Sequence, residues 1–413
     1  MRFVKKDIDP NAPATADQTC SFESLIELSS RKFRGSVIAA NDQSFRPKEN
    51  LIQHEPVSPK HLNPGGASDG WETRRRRDPG HDWAIVRLGI PGVIRGAIID
   101  TAFYYNNAAE YASLEACAME GYPSEQDLTD PSVEWVELVP KSKLRFHHTH
   151  KFEINDERRF THVRLNNIPS GGISRLRVFG EVVPDLREFA GLSIDLAAIE
   201  NGGQLVSVSD EWHNKASNLL CPYVPYLAKR EKWEASRRYV LDGKDWMIIK
   251  LAGAALIGQV IVDSEKVFYN HPDAISVYTC DATKDDMDDP NSWWEVVPYT
   301  KFRRDCRQKY NVASDRQATH VRLDCYPDGT LNQVCVLGNL TEKGKSDVAL
   351  RWFNLLPAQH LNNLLGSLGV DAQAAQSLAT QRPFSDAGAI ESALAKLNAQ
   401  DAETIRNLLA LKK

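Results

Sequence analysis

The sequence predicts a mainly β protein: two tandem jelly-roll-like β-sandwich repeats followed by a small C-terminal helical appendage. Three observations carry this reading. The two halves of the chain align through a series of anchors in the same order. Each half holds about eight short runs rich in Val, Ile and aromatic residues, with no ten-residue helical pattern between them. After Gly338 the periodicity changes to that of helices.

A repeat decides the fold, so it comes first. ELSSRKFRGSVIAANDQSF, starting at Glu27, aligns with DLAAIENGGQLVSVSDEWH, starting at Asp195. Gly35, Asp42 and Asn50 then stand opposite Gly203, Asp210 and Asn218. WETRRR at Trp71 meets WEASRR at Trp233, and HDWAIVRL at His81 meets KDWMIIKL at Lys244. The segment Ile98 to Cys117 meets Ile261 to Cys280, and WVELVP at Trp135 meets WWEVVP at Trp293. THVRL occurs at Thr161 and again at Thr319, and RLRVFG ending at Gly180 meets QVCVLG ending at Gly338. The offset drifts only from 168 (Gly35 to Gly203) through 163 (Asp82 to Asp245) to 158 (Thr161 to Thr319). Matches in one order with so little drift mark a duplication.

Within a copy, WAIVRL, VIRGAIID, YASLEAC, THVRL and RLRVFGEVV read as separate strands, punctuated by PGVIRG, NIPSGG and YPDG. Many short strands without crossover helices suit a jelly-roll-like sandwich of the galactose-binding-like kind. The expected organisation is a flexible segment over 1–20, repeat 1 over 21–183, repeat 2 over 184–340 and helices over 345–413. TEKGKSD reads as a polar linker before them. Leu361, Leu364, Leu365 and Leu368 then share one helical face, as do Ile390, Leu394 and Leu397. Ile405, Leu408 and Leu409 line a third helix, with Asp401 as its expected cap.

Composition narrows the functional classes. The 413-residue chain carries a net charge of −5, and its one basic run is Arg74 to Arg77, which gives nucleic-acid and membrane-surface roles little support. The N-terminal region lacks an apolar core of signal-peptide length, and nothing later approaches a membrane span. Seven dispersed cysteines without CxxC pairs read as reduced thiols of a cytoplasmic protein.

The densest chemical constellation is ASDGWETRRRRDPGHDW, Ala67 to Trp83. A solvated charged loop would explain it. Against that stands the offer, in one segment, of an apolar wall (Trp71), an acid or base (Glu72) and guanidinium groups that bind carboxylates. On an extended strand alternate residues diverge, so all four arginines cannot point inward together. His148 and His150 of the HHTH run would share a strand face, which raises a metal site as an alternative to local hydrogen bonding. No compact metal motif completes them, and the expectation is no metal and no cofactor. Two loops, Asp100 to Asn107 and Asp263 to Asn270, are polar in both copies and read either as turns or as a ligand edge.

Together these motifs resemble the allantoicase family. Its first-copy pattern is DGWETRRRR-x-PGHDW, then VDT-x-F-x-GN-x-P-E, H-x-F, and THVRL-N-x-x-P-DGG with RLRVFG. This chain has DGWETRRRRDPGHDW at Asp69 to Trp83, DTAFYYNNAAE at Asp100 to Glu110, HKF at His150 to Phe152, and THVRLNNIPSGGISRLRVFG at Thr161 to Gly180. The resemblance implies a pair of jelly-roll repeats and a hydrolase that releases urea from allantoate, leaving ureidoglycolate, in purine catabolism. It implies Glu72, His81 and Asp82 as proton-transfer candidates. The carboxylate would fall to one of Arg74, Arg75, Arg76 and Arg77, with Asp69, Trp71, Asp100, Thr101 and Asn107 as further substrate contacts. Trp233, Glu234, Arg237 and Asn270 are the possible contributors from repeat 2. The partner implied is a small ureido acid, and the family's habit suggests a homo-oligomer.

Departures from the pattern keep alternatives open. The family's Gly-Asn is Asn106-Asn107, its Pro is Ala109, and its DGG turn is Ser170-Gly171-Gly172. In repeat 2 the DGWE motif has become Glu231-Lys232-Trp233-Glu234, and Lys244 replaces His81. Repeat 2 then either supports repeat 1 or shares one site with it. The competing functions are an enzyme acting on another ureido or guanidino acid, and a non-catalytic protein that binds a small acid.

Overall fold

The computed structural model of the protein describes residues 15–54, 69–212, 214–222, 232–238 and 243–411. Two compact units divide the chain, Met1–Val183 with Leu355–His360, and Pro184–Asn354 with Leu361–Lys413.

The first unit contains β1 (Thr15–Ala16), β2 (Ile26–Glu27), β3 (Ser36–Ala40), β4 (Trp71–Glu72), β5 (Asp82–Asp100), β6 (Tyr111–Cys117), β7 (Val136–Lys143), β8 (His148–Glu153), β9 (Arg159–Ile168), β10 (Gly172–Ile173) and β11 (Arg175–Val182), with one short helix, α1 (Glu125–Thr129). The main sheet runs β1-β8-β5-β9-β6-β7, with β3 and β11 also on β5, while β4 pairs with β10.

WAIVRL and VIRGAIID are not two strands: Asp82–Asp100 is one strand of 19 residues. Its front pairs with β3 and β9, for example Ala84 with Ala40 and with Leu165. Its back pairs with β8 and β11, for example Ile99 with His150 and Ile98 with Arg177. Pro91-Gly92, read from sequence as a break, is a point of close approach. The Pro91 carbonyl still accepts from Val183 N at 3.0 Å, and a Cβ on Gly92 would come within 2.1 Å of the Glu181 carbonyl oxygen. One strand thereby serves both halves of the sandwich. The core beneath it includes Ala84, Val86, Ile94, Ile99, Val163, Leu165 and Val178, all buried.

The first described residues join the main sheet. Thr15–Ala16 pairs in parallel with His148 and Thr149, and Asp17 accepts from Lys151 N at 3.1 Å. Of the segment expected to be flexible over 1–20, Thr15 to Asp17 make these contacts, and 1–14 lie outside the described residues.

In the second unit the strands are β12 (Ile194–Asp195), β13 (Gln204–Val208), β14 (Trp233–Glu234), β15 (Asp245–Asp263), β16 (Ala274–Cys280), β17 (Trp294–Lys301), β18 (Arg307–Asn311), β19 (Ala318–Tyr326), β20 (Thr330–Leu331) and β21 (Gln333–Leu340). β15 again spans 19 residues and pairs with β13 and β19 at its front and β18 and β21 at its back. The helices are α2 (Glu342–Leu355), α3 (Ala358–Ser367), α4 (Ala372–Gln381), α5 (Ala387–Leu394) and α6 (Ala399–Leu409). TEKGKSD is not a linker but the opening of α2, where Gly344 packs so closely on β15 that a Cβ would lie 2.0 Å from the Ala254 carbonyl oxygen. The cap of α6 is Asn398 rather than Asp401: its side chain accepts from Asp401 N at 2.8 Å, and Asp401 is buried.

Candidate active site

Strand alternation makes the first element of the site. In β4 Trp71 points into the core, fully buried, with its Nε1 donating to the Asp42 carbonyl at 2.9 Å. Glu72 therefore points the other way, into a cleft of about 1030 Å³ that it lines together with Arg75, Arg76, Asn107, Arg145 and Ser170. Asn107 Nδ2 donates to Glu72 Oε1 at 2.6 Å. Asn107 is fixed from behind, because its carbonyl accepts from Gly172 N at 2.7 Å. Gly172 has no room for a side chain, since a Cβ would meet the Tyr104 ring at 2.1 Å.

After Glu72 the chain leaves the sheet as coil, so strand alternation no longer sorts the arginines. Arg74 is drawn to Asp42, which accepts from its backbone N at 3.0 Å and pairs with its Nε at 3.2 Å. Arg76 is held twice: Ser170 Oγ accepts from its backbone N at 3.0 Å, and its guanidinium pairs with the buried Asp82 at 2.8 Å. Between them Arg75 lies exposed in the cleft with no side-chain partner among the described residues. Arg77 is exposed and outside the cleft. Two consecutive arginines thus line one cleft, one with its charge neutralised and one with its charge free.

Arg145 comes from the loop before β8, and that loop is clamped. Thr101, buried, donates through Oγ1 to the Arg145 carbonyl at 2.7 Å and accepts from His148 N at 3.1 Å. His150 Nε2 accepts from Arg145 N at 2.7 Å while Nδ1 donates to the Ile99 carbonyl at 3.1 Å. Burial pushes the His150 imidazole down to about 4, so it is neutral at pH 7. His147 takes φ 48° and accepts from Phe103 N at 2.8 Å.

Sequence reasoning placed some of these residues and missed others. Glu72, Arg75, Arg76 and Asn107 do meet in the cleft, whereas His81 is exposed outside it. Asp82 sits beneath Arg76 as its buried counter-ion, and Thr101 acts on the Arg145 loop. Asp69 pairs with the buried Arg175 at 3.0 Å, outside the cleft like Trp71. Asp100 accepts from Ala102 N at 2.7 Å, and burial raises its carboxyl above the usual range. All four ring nitrogens of His148 and His150, the pair raised as a metal alternative, have hydrogen-bond partners within the fold. His148 contacts Thr15 Oγ1 at 2.6 Å and Asp17 at 3.0 Å, and both nitrogens of His150 are used as above. Among the described residues no group of three metal-binding side chains occurs. Unforeseen were Lys143, Arg145, Phe146 and Ser170. The available signal was the alignment itself, since Arg145 and Lys143 stand opposite Arg303 and Lys301. The DGG-to-SGG departure is benign at its first position, because Ser170 still supplies the oxygen that accepts from Arg76 N.

Fold and cleft define a duplicated jelly-roll protein whose first copy opens on a pocket with a free guanidinium beside a carboxylate–amide pair. The chain belongs to the allantoicase family: the allantoicase repeat matches residues 26–183 and 194–341. It is 36% identical over 362 residues to "Probable allantoicase" of Streptomyces coelicolor, covering 83% of this chain and 93% of that protein. It is 36% identical over 344 residues to allantoicase of Dictyostelium discoideum, covering 81% and 90%. The crystal structure of allantoicase from Saccharomyces cerevisiae superposes with a TM-score of 0.62 at 31% identity, covering 77% of this chain and 96% of that one.

Proposed function

We propose that the protein is a hydrolase that cleaves allantoate to ureidoglycolate and urea in purine catabolism, in the cytoplasm and as a homo-oligomer. The observation that carries the reading is the Glu72–Asn107 pair facing the unpaired Arg75 in one cleft. Allantoate bears a carboxylate and two ureido groups on one carbon. Arg75 would take the carboxylate through charge-assisted hydrogen bonds, with Lys143 adding positive potential and Arg145 beside it paired with Asp17. The Asn107 amide would align a ureido group, and Glu72 would move the proton. The bond between the central carbon and one ureido nitrogen breaks, and that nitrogen gains a proton and leaves as urea. Water adds to the same carbon, delivers its proton to the site and leaves a hydroxyl. Support for a reducing compartment comes from all seven cysteines being free, five of them buried.

Urea release from allantoate by purified protein, with and without prior chelation, tests the reading. Release that survives chelation is expected. Release lost on chelation and restored by added metal would make a metal part of the site, and no release would defeat the substrate assignment. Glu72→Gln should fold normally and lose activity by about 10²-fold or more, the range for a positioned acid or base. Near-normal turnover in that variant would remove Glu72 from proton transfer.

A further inference from the structure

The turn from Pro169 to Gly172 touches three of the cleft residues, Glu72, Arg76 and Asn107. Gly172 pairs with Glu72 between β10 and β4, and its N donates to the Asn107 carbonyl. Ser170 Oγ accepts from Arg76 N, as described above. Gly171 is bound to Thr73, its N donating to Thr73 Oγ1 at 3.0 Å and its carbonyl accepting from Thr73 N at 3.1 Å. One further bond reaches that carbonyl from behind: Asn167 Nδ2 donates to it at 2.9 Å. Asn167 belongs to β9, is fully buried and lies outside the cleft. The strand itself does not need an amide there, because in repeat 2 the equally buried residue opposite Asp245 is Cys325.

The oxygen end of the same amide has other business. Asn167 Oδ1, Asp82 Oδ2 and Arg76 Nε are all buried, and none has a hydrogen-bond partner among the described residues. The three belong to one spot. Asp82 stands directly opposite Asn167 in the β5–β9 ladder, so both side chains leave the same face of the sheet. Asp82 Oδ1 accepts from Arg76 Nη1 at 2.8 Å and from Asn41 Nδ2 at 3.3 Å, which brings the guanidinium to the carboxylate and leaves Oδ2 over. Buried polar atoms are paired as a rule, so three together call for a guest. That guest must donate twice, to Asp82 Oδ2 and Asn167 Oδ1, and accept once, from Arg76 Nε. A metal cation cannot accept from Nε. A simple anion cannot donate to the two oxygens. Water does both, and three bonds are typical of a buried water.

We propose that Asn167, Asp82 and Arg76 hold one buried water, and that Asn167 is thereby a positioning residue of the cleft. It locks the turn carrying Ser170 and Gly172 to the Arg76–Asp82 pair, and so fixes Glu72 and Asn107 against Arg76. A crystal structure of the unmodified protein tests the water. A solvent peak within hydrogen-bond distance of all three atoms is expected, and its absence would overturn the proposal. Turnover tests the positioning role, which for this readout rests on the functional reading above. Asn167→Leu keeps the size of the side chain and removes both of its bonds. Glu72 and Asn107 act on the departing ureido group, whereas Arg75, with no hydrogen bond to the turn among the described residues, takes the carboxylate. The variant should therefore lose kcat by about 10-fold or more, with KM changed by less than about threefold. Val163→Ala, a core change in the same strand, is the control. At a temperature where circular dichroism shows both variants folded, it should leave kcat unchanged. An unchanged kcat in Asn167→Leu, or an equal fall in Val163→Ala, would overturn the positioning role. Should Asn167→Leu misfold, Asn167→Cys gives the same reading, since repeat 2 accommodates Cys325 at the equivalent place. If the unmodified protein releases no urea the functional reading falls, and crystal structures still decide the site. Loss of the water and a displaced Arg76 side chain are then expected in Asn167→Leu, and a water that stays with Arg76 unmoved would overturn the proposal.

Discussion

Arg74 and Arg75 are adjacent, equally basic and both exposed, yet their surroundings assign them opposite tasks. Asp42 holds Arg74 by backbone and side chain, whereas Arg75 reaches the cleft with its charge uncompensated. A hydrogen bond to a charged group is worth roughly 1.5–3 kcal/mol. Arg75→Ala should therefore lower kcat/KM for allantoate by about 10- to 100-fold, whereas Arg74→Ala should change it by less than about threefold. Steady-state kinetics on the two variants checks this, and a larger loss in Arg74→Ala would reassign the carboxylate. The run of four arginines was legible in the sequence as an anion binder. Which one binds was not, because the coil after Glu72 has no period and the deciding partners, Asp42 and Asp82, come from elsewhere in the fold.

Among the elements, the loop before β8 shows how two copies can keep one geometry with different chemistry. His150 in repeat 1 and Gln308 in repeat 2 both accept the backbone N–H of the arginine five residues earlier. His150→Gln should thus preserve the loop while removing a titrating group. The folded-state value of about 4 lies below the ordinary 6.5, so between these values the unfolded chain takes up a proton that the folded chain refuses. The stability tied to His150 is fully present above about pH 6.5 and is lost as pH falls towards 4. Buried His162, also pushed down to about 4 by burial, acts in the same direction. Thermal midpoints at pH 7 and pH 5 should therefore fall less on acidification in His150→Gln than in the parent protein, without vanishing as a difference. An unchanged acid slope would show that His150 does not carry that stability. The loop's other clamp makes a kinetic test: Thr101→Val removes a buried donor and acceptor at a cost of about 1–3 kcal/mol. Its expected signature is a lower melting temperature together with a lower kcat/KM, because Arg145 is no longer held. That His148 and His150 share a face was readable from strand alternation. That their nitrogens were already spent was not, because Thr15, Asp17 and Ile99 are distant in sequence.

Across the whole molecule the duplication was the most legible feature, since ordered anchors survive loop insertions. The single 19-residue strands were not legible, because Pro91-Gly92 looks like a break until the Val183 and Glu181 backbones are seen against it. Repetition also raises the question of how catalysis divides between the copies, and small differences favour the first. Thr73 Oγ1 accepts from Gly171 N at 3.0 Å, a bond that Ala235 cannot make. The Glu–Asn bond is 2.6 Å in repeat 1 and 3.2 Å in repeat 2. Asp328 brings a carboxylate to the place of neutral Ser170, which opposes an anionic ligand. Repeat 2 should therefore contribute less to turnover than repeat 1. Glu234→Gln is expected to lower urea release by no more than a few-fold, against about 10² or more for Glu72→Gln, and the double variant should resemble Glu72→Gln alone. Equal losses in the two single variants, with a far greater loss in the double, would mean that both copies are catalytic and that these differences do not matter to the reaction.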